Sequence, residues 1–334
     1  SSLGFILNRK FSFSGNVKRE IAEHWGADRN SLLAELAALL EACGRIRLTN
    51  PQITVQSENE AAVKKVFTLL EKAFNITMDV SMKTGPQKTQ RKAYEGRLTD
   101  PDEIRRVLEA VGFWRPSAAE ARARFVLEPA PALLEEPAGR RAYIRGAFLG
   151  SGSMTDPEKN YHIEFIGESG QYVQRLQHLL QTFDVASRIL ERKRPGARRA
   201  YVLYLKDGSQ IVDVLNIMEA HVALMELENI RILKEMRNQV NRQVNCETAN
   251  LNKTVTAAVK QMEDIRYLKE TGQLSQLPEP LQAMAEVRME HPEEALGTLG
   301  KWLDPPIGKS GVNHRLRKLS QFADEIREKK GEEL

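Results

Sequence analysis

The stretch Ile144–Gly152, IRGAFLGSG, followed at once by SMTDPEKNYHIEF to Phe165, decides how this chain folds. Its glycines and alanine, set among larger apolar residues, predict a helix that a partner backbone can approach closely. A Gly-Ser turn then leads into a strand with alternating apolar residues at Tyr161, Ile163 and Phe165. A fainter copy lies upstream: Leu36–Gly44, LAALLEACG, has the same pattern and the same terminal glycine, and Ile53–Val55 supplies the following strand.

The copies share a register. An offset of about 107 to 110 residues carries Gly44 onto Gly152, Val55 onto Phe165, Leu69-Leu70 onto Leu179-Leu180, and Ile104, Val107 and Leu108 onto Ile211, Val214 and Leu215. The segments between agree. A helix from about Glu60 to Phe74, the strand MDVSM, a Gly85-Pro86 turn and the basic strand KTQRKAYEGRL precede a helix capped by Thr99 or Asp100 that stops near Gly112. Pro116–Pro137, rich in Pro, Ala and Glu, joins the halves. Before the first copy, FSFSGNVKREIAEHW predicts a short helix with Ser14 or Asn16 near its N-cap; Ser31 caps the next, whose Leu32, Leu36, Leu39 and Leu40 fall on one face. The fold expected is α+β: a duplicated α/β domain over residues 1–222, with repeats at about 14–115 and 138–222 related by a pseudo-twofold, followed by an all-α domain over 228–334.

Bulk properties bound the rest. A length of 334 residues fits two domains, and a 41% hydrophobic content supports a real core. The net charge of +4 and pI of about 8.9 permit nucleic acid as a partner without demanding it. Cys43 and Cys246 stand far apart, so neither a disulfide framework nor a zinc site is suggested. No apolar run reaches the roughly 18–20 residues of a membrane span, and SSLGFILNRK lacks a signal-peptide core. A cytoplasmic, nucleoid-associated protein with no membrane contact is expected. Nothing calls for a cofactor, a metal or a small-molecule substrate.

Cations gather on the predicted strand pairs: Lys88, Arg91, Lys92 and Arg97 in the first half; Arg188, Arg192, Lys193, Arg194, Arg198 and Arg199 in the second. Strands so decorated suit a phosphate backbone, although charge runs are also common in solvated turns. Gly150-Ser151-Gly152-Ser153 lacks the lysine of a phosphate-binding loop and does not run from strand to helix, which makes it a helix terminator.

Beyond Ile211 the pattern is continuously helical, with the domain boundary placed near Val222–Glu228. NRQVNCETANLNKT carries Asn241, Asn245, Asn250 and Asn252 beside Arg242. So many amides mean either caps and turns or polar groups aimed at phosphates and base edges. A further helix then ends at Gly272. LQAMAEVRMEH, EEALGTLGKWLD and SGVNHRLRKLSQFADEI give three short helices, a helix-turn-helix over about 280–327. In the last, Ser310 is the expected N-cap and Val312, Leu316, Leu319 and Ala323 form one buried stripe. Lys309, Ser310, Asn313, His314, Arg315, Arg317 and Lys318 would meet base edges and phosphates if this helix enters a major groove. A solvated basic helix is the bland alternative.

The paired motifs LAALLEACG and IRGAFLGSG resemble the LAGLIDADG homing-endonuclease fold. RAYIRGAFLGSGSMTDPEKNYHIEF, NRQVNCETANLNK and SGVNHRLRKL together are similar to the WhiA family of bacterial regulators, over nearly the whole chain. The resemblance implies a regulator tied to sporulation or to cell division and chromosome segregation, and a part for Asn241, Arg242, Asn245 and Asn250 in binding or in orienting helices. The terminal module also resembles the promoter-reading part of sigma factors. In active homing endonucleases the residue before the last glycine of each motif is an acid, and the two acids hold divalent metal at the scissile phosphates. Here those residues are Cys43 and Ser151. Glu41 sits about 200° round the helix from Cys43, and Asp156 lies beyond the turn. A non-catalytic, sequence-specific binder of double-stranded DNA is therefore expected. The competing readings are an active endonuclease, and an adaptor whose degenerate nuclease domain binds RNA polymerase, a sigma factor or a co-regulator.

Overall fold

The computed structural model describes residues 12–84, 92–116, 123–193 and 199–332. The chain divides into two compact units, Ser1–Lys234 and Glu235–Leu334.

The first unit opens with α1 (Phe13–Ala22). The first repeat follows: α2 (Arg29–Cys43), β1 (Gly44–Arg47), β2 (Gln52–Ser57), α3 (Glu60–Phe74), β3 (Asp79–Thr84), β4 (Lys92–Leu98) and α4 (Pro101–Val111). A small ribbon of β5 (Trp114–Pro116) and β6 (Ala123–Phe125) leads to the second repeat. This comprises α5 (Pro137–Ser151), β7 (Gly152–Met154), β8 (Ile163–Gly167), α6 (Gly170–Gln181), β9 (Arg188–Lys193), β10 (Arg199–Leu205) and α7 (Gly208–Ile217). The two antiparallel sheets have the same order, β1-β2-β4-β3 and β7-β8-β10-β9. Gly44 pairs with Val55 and Gly152 with Phe165, so the register of the duplication is kept although the second connection is two residues longer.

The caps repeat as well. Asp100 accepts from the backbone N–H groups of Asp102 and Glu103, and Asp207 from those of Ser209 and Gln210. At the other end Gly112 closes α4 with φ 85°, and Glu219, its counterpart after α7, has φ 63°. Glutamate has no intrinsic liking for that region. Its carboxylate is held by Arg145 at 2.8 Å and His24 at 3.1 Å, which offsets the strain.

α2 and α5 pack against each other more extensively than any other two elements. A Cβ on Gly146 would stand 2.5 Å from the Glu35 carbonyl oxygen, and one on Gly150 would stand 2.6 Å from the Ala42 Cβ, so both glycines are what lets the backbones meet. α2 is buried on all sides from Leu33 to Leu40, rather than along one leucine face, because β1, β2, α3 and α4 of its own repeat and α5 of the other surround it. Glu35 and Arg145 cross the seam at 3.4 Å, with Lys65 3.3 Å from the same carboxylate; all three are fully buried. Burial pushes the Glu35 carboxyl up, against the pull of Arg145 and Lys65.

Several local expectations need correction. Ser12, not Ser14 or Asn16, caps α1, and Asp28 caps α2 by accepting from the Ser31 N–H at 2.8 Å. Gly44 and Gly152 are extended, with φ −91° and −79°, and open strands β1 and β7 directly instead of forming turns. Their glycines are needed for space: a Cβ would lie 2.4 Å from the Leu40 carbonyl oxygen at one and 2.3 Å from the Phe148 ring at the other. Tyr161 precedes its strand.

α8 (His221–Glu270) is one helix of 50 residues; the expected divide near Val222–Glu228 falls inside it, and no separate helix begins after the asparagines. In the second unit α9 (Glu279–Glu290), α10 (Leu296–Leu299) and α11 (Lys309–Glu332) form the helix-turn-helix. Its core joins Ile265 and Leu268 of α8 to Leu281, Met284, Ala285, Leu299 and Leu303, and to Val312, Leu316, Leu319 and Ala323 of α11. Ser310 lies inside the first turn of α11, one residue past its start, rather than at the N-cap.

Candidate nucleic-acid interface

At the glycine ends of α2 and α5 the side chains that precede the two glycines turn back into their own helices. Cys43 Sγ donates to the Leu39 carbonyl at 3.2 Å and Ser151 Oγ to that of Ala147 at 3.3 Å. Burial pushes the Cys43 thiol up to about 12, so it stays protonated. Glu41 is nearly fully buried and committed: Arg175 donates to it at 2.6 Å, and the Tyr143 hydroxyl, itself 3.0 Å from Arg175, donates to its other oxygen. Asp156 is exposed and accepts from the Glu158 N–H at 3.0 Å within its own turn. Among the described residues, no group of three His, Cys, Asp or Glu is arranged to hold a metal ion.

The outward faces of the two sheets differ at equivalent positions. On the first, one row reads Arg45-Thr54-Arg97-Asp79 and the next Gln56-Glu95-Ser81. Glu95 accepts from Lys83 at 2.8 Å and Arg97 at 2.7 Å; together with Gln56 they hold its carboxyl down to about 2. Arg45 and Arg47 are exposed on β1, a strand the sequence reading did not assign. The alternation in GRIR was the signal available for it. On the second sheet the corresponding rows are Ser153-Glu164-Tyr204-Arg188 and Ile166-Val202-Leu190. An apolar row thus replaces a polar one, with Leu190 46% exposed.

The basic residues named from sequence distribute unevenly over these faces. Lys92 begins β4 and is exposed. Arg192 projects from the outward face of β9, 3.4 Å from Glu164; Lys193 ends β9 in register with Arg199, and Arg199 pairs with Glu191 at 3.3 Å. Lys88, Arg91, Arg194 and Arg198 lie outside the described residues.

Asn241, Arg242, Asn245 and Asn250 are all exposed in the interior of α8. They cap nothing and make no turn, which removes that alternative. Arg242 Nε donates to the Asn238 carbonyl at 3.3 Å, and Asn250 Nδ2 lies 3.8 Å from Cys246 Sγ. At 3.6 residues per turn Asn238, Asn241, Arg242 and Asn245 share one side of the helix, whereas Val240, Val244, Leu251 and Val255, each more than half exposed, share another; Asn250 belongs to neither.

α11 buries the stripe Val312, Leu316, Leu319 and Ala323, and this fixes what its other face presents. Lys309, Ser310, Asn313, His314, Arg317 and Lys318 are exposed. Arg315 is half-buried and donates to the Pro280 carbonyl at 3.4 Å, so it serves α9 as well as the surface. Chemically the face offers cations for phosphates, and amide and guanidinium groups for base edges. No described helix is long and apolar enough to cross a membrane.

Comparison with known proteins agrees with this layout. Residues 29–114 match the WhiA N-terminal LAGLIDADG-like domain, residues 140–237 the WhiA LAGLIDADG-like domain, and residues 240–323 the WhiA C-terminal HTH domain. A relative from Alkaliphilus oremlandii is 45% identical over 324 residues, covering 96% of this chain and 99% of its own length. One from Clostridium botulinum (strain Hall) is 41% identical over 319 residues, covering 95% and 99%. Both are named probable cell division protein WhiA. The crystal structure of full-length DUF199/WhiA from Thermatoga maritima superposes with a TM-score of 0.57 at 21% identity, over 94% of this chain and 99% of that one, a likeness of fold.

Proposed function

This chain belongs to the WhiA family, and from that premise we propose that it is a non-catalytic, sequence-specific binder of double-stranded DNA that regulates transcription in cell division, chromosome segregation or sporulation. The observation that carries the proposal is α11: its apolar stripe is buried and its basic, amide-bearing face is left to solvent at the end of a helix-turn-helix. Lys309, Arg317 and Lys318 take phosphates, while Asn313 and His314 are placed for base edges, with Ser310 on the first turn. Asn241, Arg242, Asn245 and Asn250 of α8, and Lys92, Arg192, Lys193 and Arg199 with Arg91, Arg194 and Arg198, are secondary contacts. A place at the nucleoid follows from DNA binding. The test is fluorescence anisotropy of labelled duplex across a salt series. Arg317→Ala with Lys318→Ala should lower the salt slope by about 2. An unchanged slope and affinity refutes the recognition-helix assignment.

Absence of nuclease chemistry is supported by the hydrogen bonds at the helix ends. Cys43 and Ser151 are neutral and bonded to their own backbones, and Glu41 is tied up by Arg175 and Tyr143. Two hard anionic ligands for one metal are missing there. Plasmid cutting in Mg²⁺ that disappears on Glu41→Gln or Asp156→Asn would falsify this.

A second reading is favoured by the outward face of the second sheet. Leu190, exposed at the edge of the row Ile166-Val202-Leu190 whose Val202 is buried, suits a protein better than a phosphate backbone, which supports an adaptor role toward RNA polymerase, a sigma factor or a co-regulator. Leu190→Asp should then leave DNA affinity unchanged and abolish binding of purified RNA polymerase holoenzyme. Loss of DNA affinity instead places DNA on that sheet.

A further inference from the structure

Helix α1 lies ahead of α2, the first of the two paired central helices. It is fastened at three points. Phe13, Val17 and Ile21 are buried; the Ser14 hydroxyl accepts from the Met154 N–H of β7 at 3.1 Å; and the Glu20 carboxylate accepts from Val222 and Ala223 N–H at the start of α8, at 2.7 and 3.0 Å.

This anchoring carries Lys18 to the glycine ends of the central helices. Its Nζ stands 5.6 Å from the centre of the Phe148 ring, one turn before Gly152, and Lys18 is the charge that acts on the Cys43 thiol. Among the described residues no carboxylate pairs with it. Burial pushes its ammonium down to about 8, so at neutral pH most of the population is still charged. The C-terminal dipoles of α2 and α5 attract this cation but supply only partial negative charge, which leaves its ammonium able to take a full anion. The Leu40 and Phe148 carbonyls already accept from Gly44 and Gly152 N–H, and those of Leu39 and Ala147 from Cys43 and Ser151. A partly desolvated ammonium without an anion is costly, and the cost is recovered when an anion arrives.

We propose that Lys18 is a phosphodiester contact: its ammonium, set at the paired ends of α2 and α5, engages a backbone phosphate of bound duplex DNA. A lysine of α1 then does electrostatically what metal does in the nucleases this fold resembles, without activating a nucleophile. The inference rests on the reading that the first unit meets DNA. That reading has its own probe in Arg45 and Arg97, exposed on the outward face of the first sheet and placed in none of the contacts of α1.

The experiment measures the salt dependence of binding of the full chain to a mixed-sequence duplex, for wild type, Lys18→Met, Lys18→Arg and Arg45→Ala with Arg97→Ala, with thermal unfolding of each as the control. Lys18→Met should lower the salt slope by about 1, and Lys18→Arg should restore it. If the Arg45/Arg97 variant loses slope while Lys18→Met keeps both slope and affinity, the Lys18 contact is overturned and DNA binding by the first unit stands. If neither changes anything, the first unit does not meet DNA and both readings fall. Should Lys18→Met not fold, Lys18→Gln is read the same way.

Discussion

Substituting alanine for Gly146 tests the seam on which the first unit is built. Two effects oppose each other. In a helix interior, alanine is favoured over glycine by about 1 kcal/mol. Against this, the new Cβ would lie 2.5 Å from the Glu35 carbonyl oxygen and 3.1 Å from the Ala38 Cβ. The nearer contact is backbone, which no rotamer change relieves, so α2 and α5 must separate along a face that is buried throughout. Overpacking of this kind costs about 1–3 kcal/mol, and a backbone clash belongs at the upper end. The net expectation is destabilisation of about 2 kcal/mol. Gly297→Ala, where nothing lies within 4 Å, should be neutral or slightly stabilising. Because the chain has two units, a single transition cannot be assumed. Trp25 and Trp114 lie in the first unit and Trp302 in the second, so urea unfolding followed by fluorescence in a Trp302→Phe background reports the first unit alone. A Gly146→Ala protein as stable as its parent, or more stable, refutes the close-approach account of the seam.

Other consequences are equally direct. Glu35→Ala leaves Lys65 buried without its anion and Arg145 with Glu219 alone, and should cost about 3–5 kcal/mol by the same fluorescence assay; a loss below 1 kcal/mol would show that water replaces the carboxylate. Gly112→Ala forces a side chain into φ 85° and against the backbone of Ala130, 2.4 Å away, for a loss of about 1–3 kcal/mol in urea midpoint analysis. Glu95 has its carboxyl held at about 2 by Lys83, Gln56 and Arg97, below its unfolded value of 4.5. The sign follows: this stability is fully present above about pH 4.5, shrinks as pH falls, and is gone once pH passes below about 2. The stability gap between wild type and Glu95→Gln should close across that window. A gap independent of pH disproves the ionic origin.

The repeat, its register and some helix boundaries were legible in the residues because local chemistry writes them. Asp100 caps because it sits ahead of a helix, Gly112 ends one, and Leu69, Val107, Val214 and Leu316 mark faces by period. Strands β1 and β7 were not legible: they are short, and a glycine that reads as a turn is in fact extended, required only because Leu40 and Phe148 leave no room for a Cβ. The run of asparagines read equally as a break or a surface, since amides cap helices as readily as they decorate them. Only the 50-residue α8 decides for surface.

By itself, then, the sequence determined that two glycine-ended helices pair at a pseudo-twofold, that a helix-turn-helix follows, and that a thiol and a hydroxyl, Cys43 and Ser151, precede the two glycines. Which charges those positions meet was decided only in three dimensions. Glu41 is neutralised by Arg175, 134 residues away, and Lys18 is brought to Cys43 by α1, a different helix. Electrostatic partnership depends on distance in space, and no spacing along the chain encodes it.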